Sequence, residues 1–172
     1  MMPPIELDSI HSSFRETMLE HVFIAELQQE AWFRSQTTME ILRSEVDDAG
    51  YDLVAEFKGS VRYIQLKGSR VGGKTGRQNV NSRLSGKPGG CVVWLRYKED
   101  EQRANRAALE YLFFGGKNAK QPLPSLGSFR VAPHTKANAQ GIKAARPGIR
   151  VVPKSAFEAI PSAQALMVRL FG

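Results

Sequence analysis

Apolar positions along this chain switch between two periods, and the switches mark its elements. From Ser12 or Ser13 to Ser35, Leu19, Phe23 and Leu27 recur at helical spacing, as do Phe14, Met18 and Val22. Ser13 followed three residues later by Glu16 has the form of a capping box, which predicts where that helix begins. Residues 1–10 read as a loose arm before it. Thr37–Arg43 alternates weakly and reads as a first strand. An acidic turn, Glu45–Gly50, leads into two strands, Tyr51–Phe57 and Val61–Gly68, joined by Lys58-Gly59. Glycine supplies the positive φ that so short a hairpin loop needs. Ser69–Gly90 is rich in Gly, Lys, Arg, Asn and Ser and reads as a basic loop, with a short helix expected within Gln78–Leu84. Cys91–Tyr97 is an apolar run that predicts a buried central strand. Residues 98–106 form a charged turn, and a strand is read over Tyr111–Phe114 within the ambiguous stretch Ala107–Phe114. Residues 115–148 are Gly- and Pro-rich and too long for a structureless loop, so short pieces of structure should interrupt them. Ile149–Val152 reads as a last strand, and Ser162–Phe171 as an amphipathic helix carrying Leu166, Met167 and Leu170.

Composition narrows this picture. A chain of 172 residues with 42% hydrophobic and 24% charged residues is one ordinary globular domain with a real core. The core is expected over about residues 12–97, followed by a basic elaboration over 98–172. The first residues lack the basic-then-apolar pattern of a signal peptide. No stretch approaches the roughly 18 apolar residues of a membrane helix. The single cysteine, Cys91, excludes an internal disulfide and a multi-cysteine zinc site, and its apolar neighbours predict a buried thiol. These bounds imply a cytoplasmic protein. Trp32 and Trp94 read as core residues. His11, His21 and His134 are scattered, which argues against a zinc or histidine-nucleophile site.

Charge is segregated along the chain. Residues 1–60 hold 4 Lys and Arg against 12 Asp and Glu, whereas residues 61–172 hold 20 against 5. An acidic third followed by a basic remainder suits a site for metal cations beside a surface for a polyanion such as nucleic acid.

The hairpin carries the sharpest signal. If Lys58-Gly59 are the two loop residues, Phe57 pairs with Ser60 and Asp52 lies across from Gln65 on one face, with Cβ atoms roughly 5 Å apart. Lys67 falls on the same face one pleat further along. A carboxylate, an amide oxygen and an ammonium would converge there. Downstream, Gly68-Ser-Arg-Val-Gly-Gly-Lys74-Thr75 satisfies the G-x-x-x-x-G-K-[ST] pattern of a phosphate-binding P-loop. Such a loop must open a solid helix. Here Gly76 follows at once, and Gly86 and Pro88 close the segment, so nucleotide binding is the weaker reading. Holding a phosphate backbone is the plainer use of this loop.

Gly-Tyr-Asp52, a hairpin, then Ile-Gln65-Leu-Lys67 resembles the active-site hairpin of the PD-(D/E)XK nuclease superfamily, in its Gln-x-Lys form. The resemblance covers about residues 16–96, and no proline precedes Asp52. It implies an α/β fold with a restriction-endonuclease-like α-β-β-β-α-β core, a mixed central sheet flanked by helices. It implies a divalent-metal-dependent nuclease hydrolysing phosphodiester bonds, in DNA first of all, with Mg²⁺ or Mn²⁺ as cofactor. Asp52, Gln65 and the backbone carbonyl of Leu66 would be metal ligands, and Lys67 would orient the attacking water or offset developing negative charge. A carboxylate from the first helix completes such sites. Glu20 is the first choice, with Glu16 and Glu26 as alternatives. Ser69, Arg70, Lys74, Arg77 and Arg83 would contact the nucleic acid. Many relatives act as dimers, so a homodimer is a further expectation. The same fold without catalysis, as a nucleic-acid-binding module, is the alternative that Gln65 keeps open.

Overall fold

In the computed structural model, which describes residues 9–46 and 48–172, helix α1 runs Ser12–Gln29 and ends in a π-helical turn, Glu30–Arg34. Residues 1–8 of the arm expected over 1–10, and Asp47 in the acidic turn, lie outside the described residues. The capping box does not form. Ser9 and Ile10 are already helical, and His11 stands at the α1 N-cap without a side-chain hydrogen bond. Of the two apolar stripes, Leu19, Phe23 and Leu27 are buried, and Ala31 continues them one turn later. Burying each large side chain in such a stripe stabilises the fold by about 1.5–3 kcal/mol. Phe14 and Met18 are exposed. So is Trp32, against its expected place in the core: it follows Ala31 by one residue, about 100° round the helix from the buried stripe.

Among the described residues nine strands follow: β1 (Glu40–Arg43), β2 (Leu53–Phe57), β3 (Ser60–Arg70), β4 (Arg77–Asn81), β5 (Gly90–Glu99), β6 (Ala107–Gly115), β7 (Val131–Pro133), β8 (Ala145–Pro153) and β9 (Glu158–Ile160), before helix α2 (Ala163–Phe171). Six of them build a mixed central sheet in the order β1-β2-β3-β5-β6-β9, in which only the β3–β5 pairing is parallel. The other three form a small antiparallel sheet, β4-β8-β7. The chain is thus α/β with a mixed sheet, as expected.

Its layering differs from the expectation of helices flanking the sheet. Both helices pack on one face, where Leu19, Phe23, Leu166 and Leu170 meet Ile64, Val93 and Leu95. The small sheet covers the other face, with Val80, Leu84 and Val152 against Val92 and Trp94. Strand β5 therefore has both faces buried, which explains its unbroken apolar run. Between β3 and β5 the short helix expected within Gln78–Leu84 is replaced by β4 and a 3₁₀ turn, Ser82–Gly86. Strands β6 and β9 and helix α2 complete the central layers, so the chain beyond residue 97 is core as well as elaboration. No helix among the described residues is long and apolar enough to cross a membrane.

Candidate active site

The β2–β3 hairpin has the expected register. Phe57 pairs with Ser60 and Leu53 with Ile64, and the loop residues Lys58 and Gly59 have φ of 50° and 78°. One step beyond Leu53, the ladder gives way to a side chain. The Asp52 backbone N–H donates to the Ile64 carbonyl at 2.9 Å, and the Asp52 carboxylate accepts from the Leu66 N–H at 2.6 Å. Asp52 thus takes over the amide that the departing strand would have paired. Strand β3 runs on to Arg70 with that edge open, and the opening is the mouth of a cavity of about 1090 Å³.

The cavity lining carries both signs of charge. Its carboxylates are Glu16 and Glu20 from α1, and Asp52. Its cations are Lys67 from β3, Lys74 from the turn before β4, and Arg77 at the start of β4. Helix α1 comes this close because Gly68 has no side chain; a Cβ there would stand 3.2 Å from Leu19. Gly50 serves the approach to Asp52. Its φ is +80°, and a Cβ would lie 3.0 Å from Asn81. Sequence reasoning passed over both Gly50 and Asn81, although a glycine two residues before the key aspartate was the available signal.

Asp52, Lys67, Leu66 and Glu20, four of the expected site residues, line this one cavity. Glu20 is also ion-paired with Arg43 of β1 at 2.6 Å, so the edge strand holds it. Glu16 lines the cavity too, whereas Glu26 lines a separate one beside Arg103 and Arg106. That placement removes Glu26 as an alternative. Gln65 departs from its expected role. It is 5% exposed, its amide oxygen accepts from the Asn81 N–H at 3.3 Å, and it does not line the cavity. The cause is the small sheet, which covers this face of β3 and supplies a backbone donor to a polar group that burial would otherwise leave unpaired.

The expected nucleic-acid contacts divide as well. Lys74 and Arg77 are exposed on the cavity wall. Ser69 is buried, and its hydroxyl accepts from Trp94 Nε1 at 2.8 Å, so it positions an indole inside the protein and offers nothing to a phosphate. Arg70 stacks over the Tyr97 ring at 5.4 Å. Arg83 pairs with Asp48, donating to its carboxylate and, at 2.7 Å, to its backbone carbonyl; it pins the loop that delivers Asp52. The P-loop pattern over Gly68–Thr75 is followed by strand β4 and not by a helix. Cys91 is buried as expected, and burial pushes its thiol up to about 12.

Divalent cations of the Mg²⁺ type need hard oxygen ligands and keep several waters, so one or two carboxylates suffice. Among the described residues no three His, Cys, Asp or Glu groups gather as a metal-holding cluster. Asp52 with Glu20 or Glu16, and the Leu66 carbonyl, fit such an ion in kind; Gln65 does not belong to the set. Comparison with protein-family models, curated proteins and solved structures finds no match for this chain.

Proposed function

We propose that the chain is a divalent-metal-dependent nuclease that hydrolyses phosphodiester bonds in DNA. The observation that carries this reading is the single cavity at the open edge of β3, lined by the carboxylates Asp52, Glu20 and Glu16 together with the cations Lys67, Lys74 and Arg77. Carboxylates there suit a metal ion, and the cations suit the phosphate it would act on. A bound Mg²⁺ supplies Lewis acidity and lowers the pKa of a coordinated water. Asp52 and a helix carboxylate hold the ion. Lys67 offsets the charge that develops on the phosphate, and Lys74 and Arg77 hold the flanking backbone.

The order helix, strand and hairpin, then a crossover to a strand parallel with β3, supports a restriction-endonuclease-like core. The strand and 3₁₀ turn in that crossover depart from the α-β-β-β-α-β pattern. The test is cleavage of duplex DNA with Mg²⁺ or Mn²⁺. Lys67→Ala should lower the rate by about 10²-fold or more while the circular dichroism stays unchanged. Equal rates in both proteins, or no cleavage by the wild type with either metal, would overturn the reading.

A non-catalytic DNA-binding module is favoured by one observation, the withdrawal of Gln65 from the cavity to Asn81. Calorimetric titration separates the two. Mg²⁺ binding that Asp52→Asn abolishes supports the nuclease, and salt-dependent DNA binding without metal affinity supports the module.

A further inference from the structure

The basic residues outside the cavity have an architecture of their own. The chain carries no Asp or Glu between Glu56 and Glu99, and none between Glu110 and Glu158. Those two tracts contain every residue of β4, β7 and β8, together with the connection from β7 to β8. The small sheet is therefore free of carboxylates, although its strands come from segments about 70 residues apart, as the pairing of Arg77 with Pro153 requires. We propose that this sheet, and the β7–β8 hairpin in particular, is an arm that holds the phosphate backbone of duplex DNA outside the cavity.

The arm is ordered by its own hydrogen bonds. The His134 N–H donates to Ala144 at 2.6 Å and the Asn138 N–H to Ile142 at 2.8 Å. The Asn138 side chain accepts from Gln140 and Ile142 at the tip. Lys136 and Lys143 stand on the two sides of this extension and are exposed, and Arg146 lies at the base of β8 opposite Ala132. Among the described residues none of these three forms an ion pair, nor do Arg77, Arg130 or Lys154. The Lys154 N–H donates to Gly76 at 2.9 Å, so the sheet continues directly into the cavity wall that carries Arg77. A strand of DNA seated in the cavity would meet the arm next.

Charge alone would suit single-stranded nucleic acid equally, but such ligands are held by aromatic platforms on which bases stack. The exposed Phe, Tyr and Trp residues among those described are Phe14, Trp32 and Phe33, all on α1 or its π-helical end. Apart from the His134 imidazole, the arm offers cations without aromatic surfaces, which matches a duplex backbone. The arm rests on the nuclease reading only for the choice of DNA over RNA.

The experiment is anisotropy of a labelled DNA duplex with the full chain in EDTA, across a KCl series. The variants are the triple Lys136→Ala, Lys143→Ala, Arg146→Ala and the charge-preserving triple Lys136→Arg, Lys143→Arg, Arg146→Lys. Each phosphate contact contributes about 0.9 to the slope of log K against log salt, so the alanine variant should lose roughly 2–3 from that slope and bind at least about tenfold more weakly. The charge-preserving variant should keep the wild-type slope, which separates lost charge from lost folding. An unchanged slope and affinity in the alanine variant overturns the arm. So does equal or tighter binding of a single strand, whereas equal or tighter binding of an RNA duplex overturns the choice of DNA. Wild-type binding with the expected slope changes, but without cleavage in Mg²⁺, leaves the arm standing and removes the nuclease. Cleavage with an unaffected alanine variant does the reverse.

Discussion

Arg62 carries its charge where solvent does not reach: it is fully buried on β3. Its Nε donates to Leu170 at 2.6 Å and a terminal nitrogen to Arg169 at 3.2 Å, both carbonyls of the last turn of α2. Helix C-termini leave carbonyls unpaired and carry partial negative charge, so a cation there meets both needs. Burial lowers the pKa of Arg62 from its ordinary value, but the guanidinium stays charged over the whole working range. Arg62→Met keeps the bulk and removes the donors, and should cost about 2–3 kcal/mol in denaturant unfolding. Glu26 is the opposite case. Burial pushes its carboxyl up to about 7, against a weaker opposing pull from Arg103. A raised carboxyl pKa means that the folded state favours the protonated form. Its stabilising effect is full below about pH 4.5 and is lost as the pH rises through about 7. Glu30 and Arg106 line the same cavity. The melting temperature should therefore fall between about pH 4.5 and 7 in the wild type, and fall less in Glu26→Gln.

Among the elements, the hairpin was legible in the sequence and β4 was not. Two loop residues of suitable conformation determine a register, so Asp52 could be placed opposite Gln65 by counting. Strand β4 reads Arg-Gln-Asn-Val-Asn, has Val80 as its one buried apolar side chain, and pairs with residues 149–153. Nothing local announces such a strand. Because β4 was invisible, so was the donor that draws Gln65 away from the cavity, and so was the covered surroundings of Ser69. Gly50 links the two elements, passing against Asn81 with positive φ just before Asp52. Gly50→Ala should cost roughly 1–3 kcal/mol from backbone strain alone. It should reduce cleavage more than that loss of stability accounts for, because it shifts Asp52. A melting curve and a cleavage rate on the same preparation check both halves.

For the molecule as a whole, the sequence revealed the α/β class, the central strand and the division of charge, because each is written in composition or local period. It concealed the layering. An amphipathic helix does not say which face of a sheet it will cover, and both helices took the same one. The face left over is closed by strands whose partners are distant in the chain. Charge segregation then acquires a spatial meaning: acidic α1 and basic β4 approach β3 from opposite sides and meet at its open edge.

The pairing of β4 with β8 has a consequence for the order in which the protein assembles. Helix α1, the hairpin and β5 are contiguous enough to come together early, since the loops that must close are short. Strand β4 has β8 as its only strand partner among the described residues, and β8 ends at Pro153. The segment that carries Lys74 and Arg77 is therefore secured only once the chain has been synthesised past that point. During synthesis Asp52, the helix carboxylates and Lys67 precede the anchoring of those outer cations, so a growing chain carries an incomplete site until its late strands arrive.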